Sequence, residues 1–447
     1  MLAQRAMPNF AMSEAPQGPV AAVYAQRIAD LYAQAGCDWV VIYGDREHAA
    51  DITYLSNFDP RFEEAILVLG PQNAFIVGNE GLGYVSMLRI DVPVHLSQSL
   101  GLMGQDRTQA PRLSAVLHTI GLRAGARVGV VGWKYLEPEE RDDELPAFVP
   151  SMVLSAIRAA CGGACQLVDV THCMTHPEHG LRSRNDAAQL AQFAWAAQRS
   201  AQAVDRIVRG ARPGMSEHHV TTFMQYAGDP LNCHVMMSGD NHAVVGLRSP
   251  SSRLLAQGDA VTTAIGFRGG LCCRAGTLAT SVADAVVRDY VDVYMRAQLA
   301  WYQTLAIGVR GGTMHAAVLQ ALAGAAFTPA LNPGHLGSID EWSHTPIRPG
   351  SSDCIASGML LQCDIIPTHT PAGIAINCED AVALADASLR ATLAHEYPEL
   401  WATIEARRNY LREALGIVLA AEVLPLSLAD ARYAPAWLAP DYVWVNA

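Results

Sequence analysis

The sequence predicts a mixed α/β (α+β) protein built in two parts. Three observations carry that expectation. Apolar residues in 20–36 recur at helical spacing. Short apolar runs of strand length then alternate with helical stretches. A second, longer helical stretch around Leu190 opens a fresh alternation that continues to about Asp386.

Taken in order, VAAVYAQRIADLYAQAG reads as an amphipathic helix stopped by Gly36. DWVVIYGD reads as a buried strand, and EAILVLG and AFIVG, separated by Pro71-Gln72-Asn73, read as a hairpin. ARVGVVG and CQLVDV add two strands, with RLSAVLHTIGL as a helix, closing an α/β unit near Val170. This unit has no G-x-G-x-x-G and no G-K-[ST] loop, so nothing in it is suited to cradle phosphate. A polar, turn-rich bridge, THCMTHPEHGLRSRND, leads to a helix in which Leu190, Phe193, Ala197, Val204 and Ile207 recur. It ends before Arg212-Pro213-Gly214. Near the end, ATLAHEYPELWATIEARRNYLREALGI reads as one more helix, followed by an irregular stretch with Trp437 and Trp444.

Composition narrows the function. Across 447 residues, 51% are hydrophobic and 17% charged, the balance of a well-buried globular chain. The net charge of −12, with no basic cluster, argues against nucleic acid and anionic membrane as partners. Of the 31 basic residues only Lys134 is lysine, so a Schiff-base lysine is nearly excluded. The ten cysteines lack repeated spacing and read as reduced thiols, which points to a cytoplasmic protein. No window approaches the ~20 apolar residues of a membrane span. Residues 1–19 read as a short flexible arm.

Several motifs, in order, resemble the pita-bread family of creatinase, Xaa-Pro aminopeptidase, prolidase and methionine aminopeptidase. They are LRSRNDAAQLAQFAWAAQ, RPGMSEHHV, QGDAVTTAIGFRGG, NPGHLGS, SGMLLQCDIIP and INCEDAVALAD, with EHAADITYLSNFDPRFEEAILVLG similar to the smaller domain of creatinase. The resemblance spans roughly residues 20–390. It implies a creatinase-like N-terminal α/β domain over 20–172 and a pita-bread domain over 173–395, with a helical extension over 396–447. It also implies a homodimer acting on a small molecule.

The peptidases of that family hold two metal ions with two Asp on a hairpin, a His in a Gly-His motif and two Glu on the last strands. By this resemblance the first Asp position falls on Ala264, and the second on Arg274 or Ala275. His335, Asp364 and Glu379 fill the remaining three. Strand alternation independently puts Gln362 with Asp364 on one face of LLQCDIIP, and Asn377 with Glu379 on one face of INCEDAV.

Two carboxylates and a histidine are too few for a two-metal site. The reading adopted is a metal-independent, creatinase-like hydrolase of C–N bonds in a small amide, amidine or cyclic ureide, without cofactor. His335 would shuttle the proton, and Asp364 and Glu379 would orient substrate and water. Arg274 would balance their charge. Gln362, Asn377, His242, Arg248, Trp342 and His344 are the further candidate substrate contacts. In the family's pattern, a second histidine after the Gly-His motif falls near Trp342, with His344 as its replacement in a longer loop. Two alternatives stand beside this reading: a pita-bread binding module without catalysis, and a one-metal Xaa-Pro-type peptidase, since two carboxylates and a His suit a single transition-metal ion.

Overall fold

The computed structural model describes every residue except 109–110, 143–144, 241–246, 429 and 447. The chain divides into two compact units, Pro19–Ser183, and Met1–Gly18 together with Arg184–Ala447. Strand β1 (Leu2–Gln4) opens the chain and belongs to the larger unit.

The smaller unit contains α1 (Ala21–Ala35), β2 (Trp39–Gly44), α2 (Ala50–Ser56), β3 (Ala65–Leu69), β4 (Ala74–Val77), β5 (Val94–Leu96), α3 (Leu113–Ile120), β6 (Arg127–Val131), α4 (Ser151–Ala160), β7 (Gln166–Asp169) and α5 (His172–Thr175). Helix α1 stops where expected, because Gly36 takes the left-handed conformation at φ 57°. The sheet order is β5-β4-β3-β2-β6-β7. The hairpin β3–β4 is antiparallel, whereas β6 and β7, joined through α4, are parallel as a helical crossover requires.

The larger unit continues with α6 (Ala187–Gly210), α7 (Glu217–Thr221), β8 (Leu231–Asp240), β9 (Ala260–Phe267), β10 (Gly270–Thr277), α8 (Asp284–Val286), α9 (Asp292–Thr304) and α10 (Gly311–Ala321). After these come β11 (Thr328–Pro329), β12 (His335–Leu336), β13 (Leu360–Cys363), β14 (Pro367–Thr368), β15 (Asn377–Leu384), α11 (Ala387–Glu396), α12 (Pro398–Ala414), β16 (Val423–Pro425) and β17 (Tyr442–Trp444). Its main sheet runs β12-β13-β15-β10-β9-β8, with β16 also on β15. Helix α6 packs against the β9–β10 hairpin. A Cβ on Gly270 would lie 2.5 Å from the Cβ of Ala197, so this close approach needs a glycine.

Two expectations are overturned. The N-terminal segment is not a flexible arm: β1 pairs antiparallel with β17, and Phe10 and Met12 are buried in the larger unit. The fully buried Arg407 donates to the Phe10 carbonyl, and Met12 N–H donates to Gln198. The tail is two helices, because Pro398 cannot continue α11 and instead starts α12 at its first turn. Trp437 and Trp444 dock on their own chain within the main core, and Trp444 Nε1 donates to Asp292. No helix among the described residues is long and apolar enough to cross a membrane.

Candidate active site

The site is built by register across the larger sheet. Met236 pairs with Ala264, Ala264 with Cys273 and Cys273 with Glu379, forming one row through β8, β9, β10 and β15. The neighbouring row is His335, Gln362 and Ala381. Strand β13 ends at Cys363 opposite Asp380, so Asp364 follows directly and meets Glu379 at the end of the first row. The sequence motif around His335 has a local cause. Gly334 sits at φ +106°, and a Cβ there would lie 2.7 Å from the Gln362 carbonyl oxygen. Only glycine lets the chain turn His335 into the sheet at this point.

His335, Asp364 and Glu379 each offer a donor atom, and these atoms lie within 4.8 Å of one another. All three residues are buried. His335 Nε2 is 3.1 Å from Glu341 Oε1 and 3.8 Å from Glu379 Oε1. The Glu341 contact is an ion pair when the imidazole is protonated. Trp342 stacks on the imidazole, with ring centres 4.1 Å apart and planes at 19°. Asp364 Oδ1 and Gln362 Oε1 are buried without a hydrogen-bond partner among the described residues, while Gln362 Nε2 donates to the Leu271 carbonyl.

These surroundings shift the ionisations. Burial alone lowers the pKa of His335, but Glu341, Glu379 and Asp364 outweigh it and hold the imidazole well above its usual range. Burial pushes the Asp364 carboxyl up to about 7, partly offset by His335. Burial, and then the charge of Asp364, holds Glu379 well above the usual carboxylate range. Among the described residues, neither carboxylate is ion-paired to an arginine or a lysine.

The expected balancing cation is elsewhere. Arg274 does not point into this site; it lies on the opposite face of β10 from Cys273. Its guanidinium donates to both oxygens of Asp380, at 2.9 and 2.8 Å, and to the Glu379 carbonyl. The residue across from Ala264 on the hairpin is Cys273, whereas Arg274 pairs with Thr263 and Ala275 with Thr262. Phe267 faces Gly270 across a two-residue turn, which counts Cys273 into register with Ala264. Neither Ala264 nor Cys273 carries a carboxylate, and both cluster with Met236 and Leu271 in an apolar patch.

The remaining candidates separate further. Arg248 is committed to Glu217 through two hydrogen bonds of 2.7 and 2.8 Å, so it is not available to grip a substrate carboxylate. Asn377 shares the strand face of Glu379, but its Oδ1 lies 3.5 Å from the Tyr294 hydroxyl and it is outside the cluster. His344 bridges Leu336 through its main chain, and its Nδ1 lies 3.3 Å from the Thr345 carbonyl oxygen. Trp342 and Gln362 do join the site, whereas His242 lies outside the described residues.

Glu341, Cys273 and Met236 were not anticipated. The hairpin turn could have revealed Cys273, but Glu341 reaches His335 through an irregular loop that carries no periodic signal.

Residues 191–385 match the model of metallopeptidase family M24. No curated protein matches the chain. Among solved structures, the fold is similar to the Xaa-Pro dipeptidase from Bacillus anthracis, with 16% identity, 82% of this chain and 96% of that chain covered, and a TM-score of 0.61. It is also similar to the prolidase from Pyrococcus horikoshii OT3, with 12% identity, coverage of 81% and 95%, and a TM-score of 0.62. Dipeptidase PepE from Mycobacterium ulcerans matches with 21% identity, coverage of 82% and 95%, and a TM-score of 0.59.

Proposed function

We propose that this chain, whose larger unit carries the pita-bread fold of metallopeptidase family M24, hydrolyses a carbon–nitrogen bond in a small amide with a single divalent transition-metal ion. One observation carries the reading: His335, Asp364 and Glu379 bring buried donor atoms within 4.8 Å, and among the described residues no arginine or lysine pairs with the two carboxylates. Metal-free, the cluster meets the cost of burial by holding protons, which a divalent ion would displace on binding. The family's two-ion centre does not fit, because Ala264 and Cys273 donate no carboxylate. A one-ion site fits the remaining three residues.

His335, Asp364 and Glu379 would hold the ion, which when bound supplies Lewis acidity and lowers the pKa of water. Trp342 covers one face of the imidazole and limits water there. Gln362 offers its unpaired Oε1 to a substrate N–H. The uncharged wall of Met236, Ala264, Leu271 and Cys273 suits the uncharged part of an amide.

Plasma mass spectrometry of protein purified without chelator is expected to find about one equivalent of Mn, Fe, Co or Zn. Two tightly bound equivalents, or none after incubation with these metals, would sink the reading. Loaded protein is then assayed on Xaa-Pro dipeptides, because the similar structures bear such names, and on small amides. Turnover that disappears in Asp364→Asn and Glu379→Gln is the expected result.

A metal-independent hydrolase with His335 moving the proton is the second reading, favoured by the imidazole lying between Glu341 and Glu379. Turnover that survives exhaustive chelation would select it.

A further inference from the structure

Glu341 has no part in the ligand pattern that the resemblance implies, yet it lies against the centre of the site. Its Oε1 is 3.1 Å from His335 Nε2, closer than Glu379 Oε1 at 3.8 Å. Two carboxylate oxygens thus converge on one imidazole nitrogen, beside the unpartnered Oδ1 of the buried Asp364. The Glu341 side chain is 23% exposed, against 1% for His335 and 6% for Glu379. It reaches the site from the loop after β12, so it has room to change rotamer that the strand-borne residues lack.

We propose that Glu341 is a fourth donor to the ion, supplied by this loop in place of the missing hairpin carboxylates. The inference rests on the single-ion reading above. Three protein donors leave a catalytic ion room for water and for one further ligand, and a carboxylate oxygen binds such an ion at about 2.0–2.2 Å. Ala264 and Cys273 contribute no carboxylate, and Cys273 packs with Met236, Ala264 and Leu271 in the apolar patch. Glu341 is the remaining acid at the site, and it already faces the nitrogen that an ion would engage. The alternative role is competition: Glu341 would hold His335 away from an ion and weaken binding.

The test is titration of the metal-free protein with Co2+, followed by visible absorption, in wild type, Glu341→Gln and Glu341→Ala. Melting curves of the metal-free variants establish that they are folded. For a ligand, both variants should bind Co2+ about 10-fold or more weakly, and the d–d bands should change intensity as coordination changes. Unchanged affinity and spectrum would overturn the proposal. Tighter binding in the variants would also overturn it, by showing that Glu341 competes with the ion. The two readings fail separately. If wild type takes up no Co2+, the single-ion function falls. If wild type binds and the variants match or exceed it, only the role of Glu341 falls.

Discussion

Glu379 and Asp380 are neighbours on β15, and their side chains emerge on opposite faces of the sheet. Asp380 is fully buried and fully served: Arg274 pairs with both its oxygens, and Ala431 N–H donates to Oδ2 at 2.9 Å. Glu379 is also buried, but it faces Asp364 and a histidine, and among the described residues its carboxylate pairs with no guanidinium. One side of the strand is a closed ion pair, which serves packing. The other is an acidic cluster around His335, the site proposed above for a cation. A single step along a strand separates an arginine-paired carboxylate from one that faces His335 and Asp364.

Removing the closed pair should have the largest effect. Arg274→Ala leaves Asp380 buried without its cation and is expected to cost about 3–5 kcal/mol in chemical denaturation, with metal uptake unchanged. A loss below about 1 kcal/mol, or a loss of metal binding at full stability, would break the distinction between the faces.

The open face should respond to pH. The folded protein keeps the Asp364 proton up to about 7, whereas the unfolded chain releases it near 4. Between those values the folded state binds more protons, so the stability contributed by Asp364 falls as pH rises. Denaturation of metal-free protein from pH 4 to 7 should show this decline, and Asp364→Asn should make it shallower, with the raised Glu379 still contributing. Identical slopes in the two proteins would show that Asp364 ionises normally.

Trp342→Ala should have the smallest effect, about 0.5–1 kcal/mol, because the stacked indole is 38% exposed. A larger loss of Co2+ affinity than of stability would show that the ring mainly orients His335.

Much of the fold was legible because its signals are local. Gly36 ends α1, the apolar runs of β2, β3 and β4 are bounded by turn residues, and α6 keeps its helical period over 24 residues. The tail was misread because a helical period continues across Tyr397-Pro398 while the backbone cannot. The N-terminal strand was missed because its partner, β17, lies at the other end of the chain.

For the site, the sequence by itself determined which acids and histidine the last strands carry. His335, Asp364 and Glu379 follow from motif order, and Gln362 and Asp364 share a face by the two-residue alternation of a strand. The tertiary structure alone decided where the charges go. A shift of one residue in the hairpin register turned Arg274 away and put Cys273 across from Ala264. Side chains alternate faces at every residue, so that single step exchanges the two sides of the sheet. Glu341 entered the site by an irregular loop whose path depends on what it packs against, and no local pattern in the chain encodes that contact.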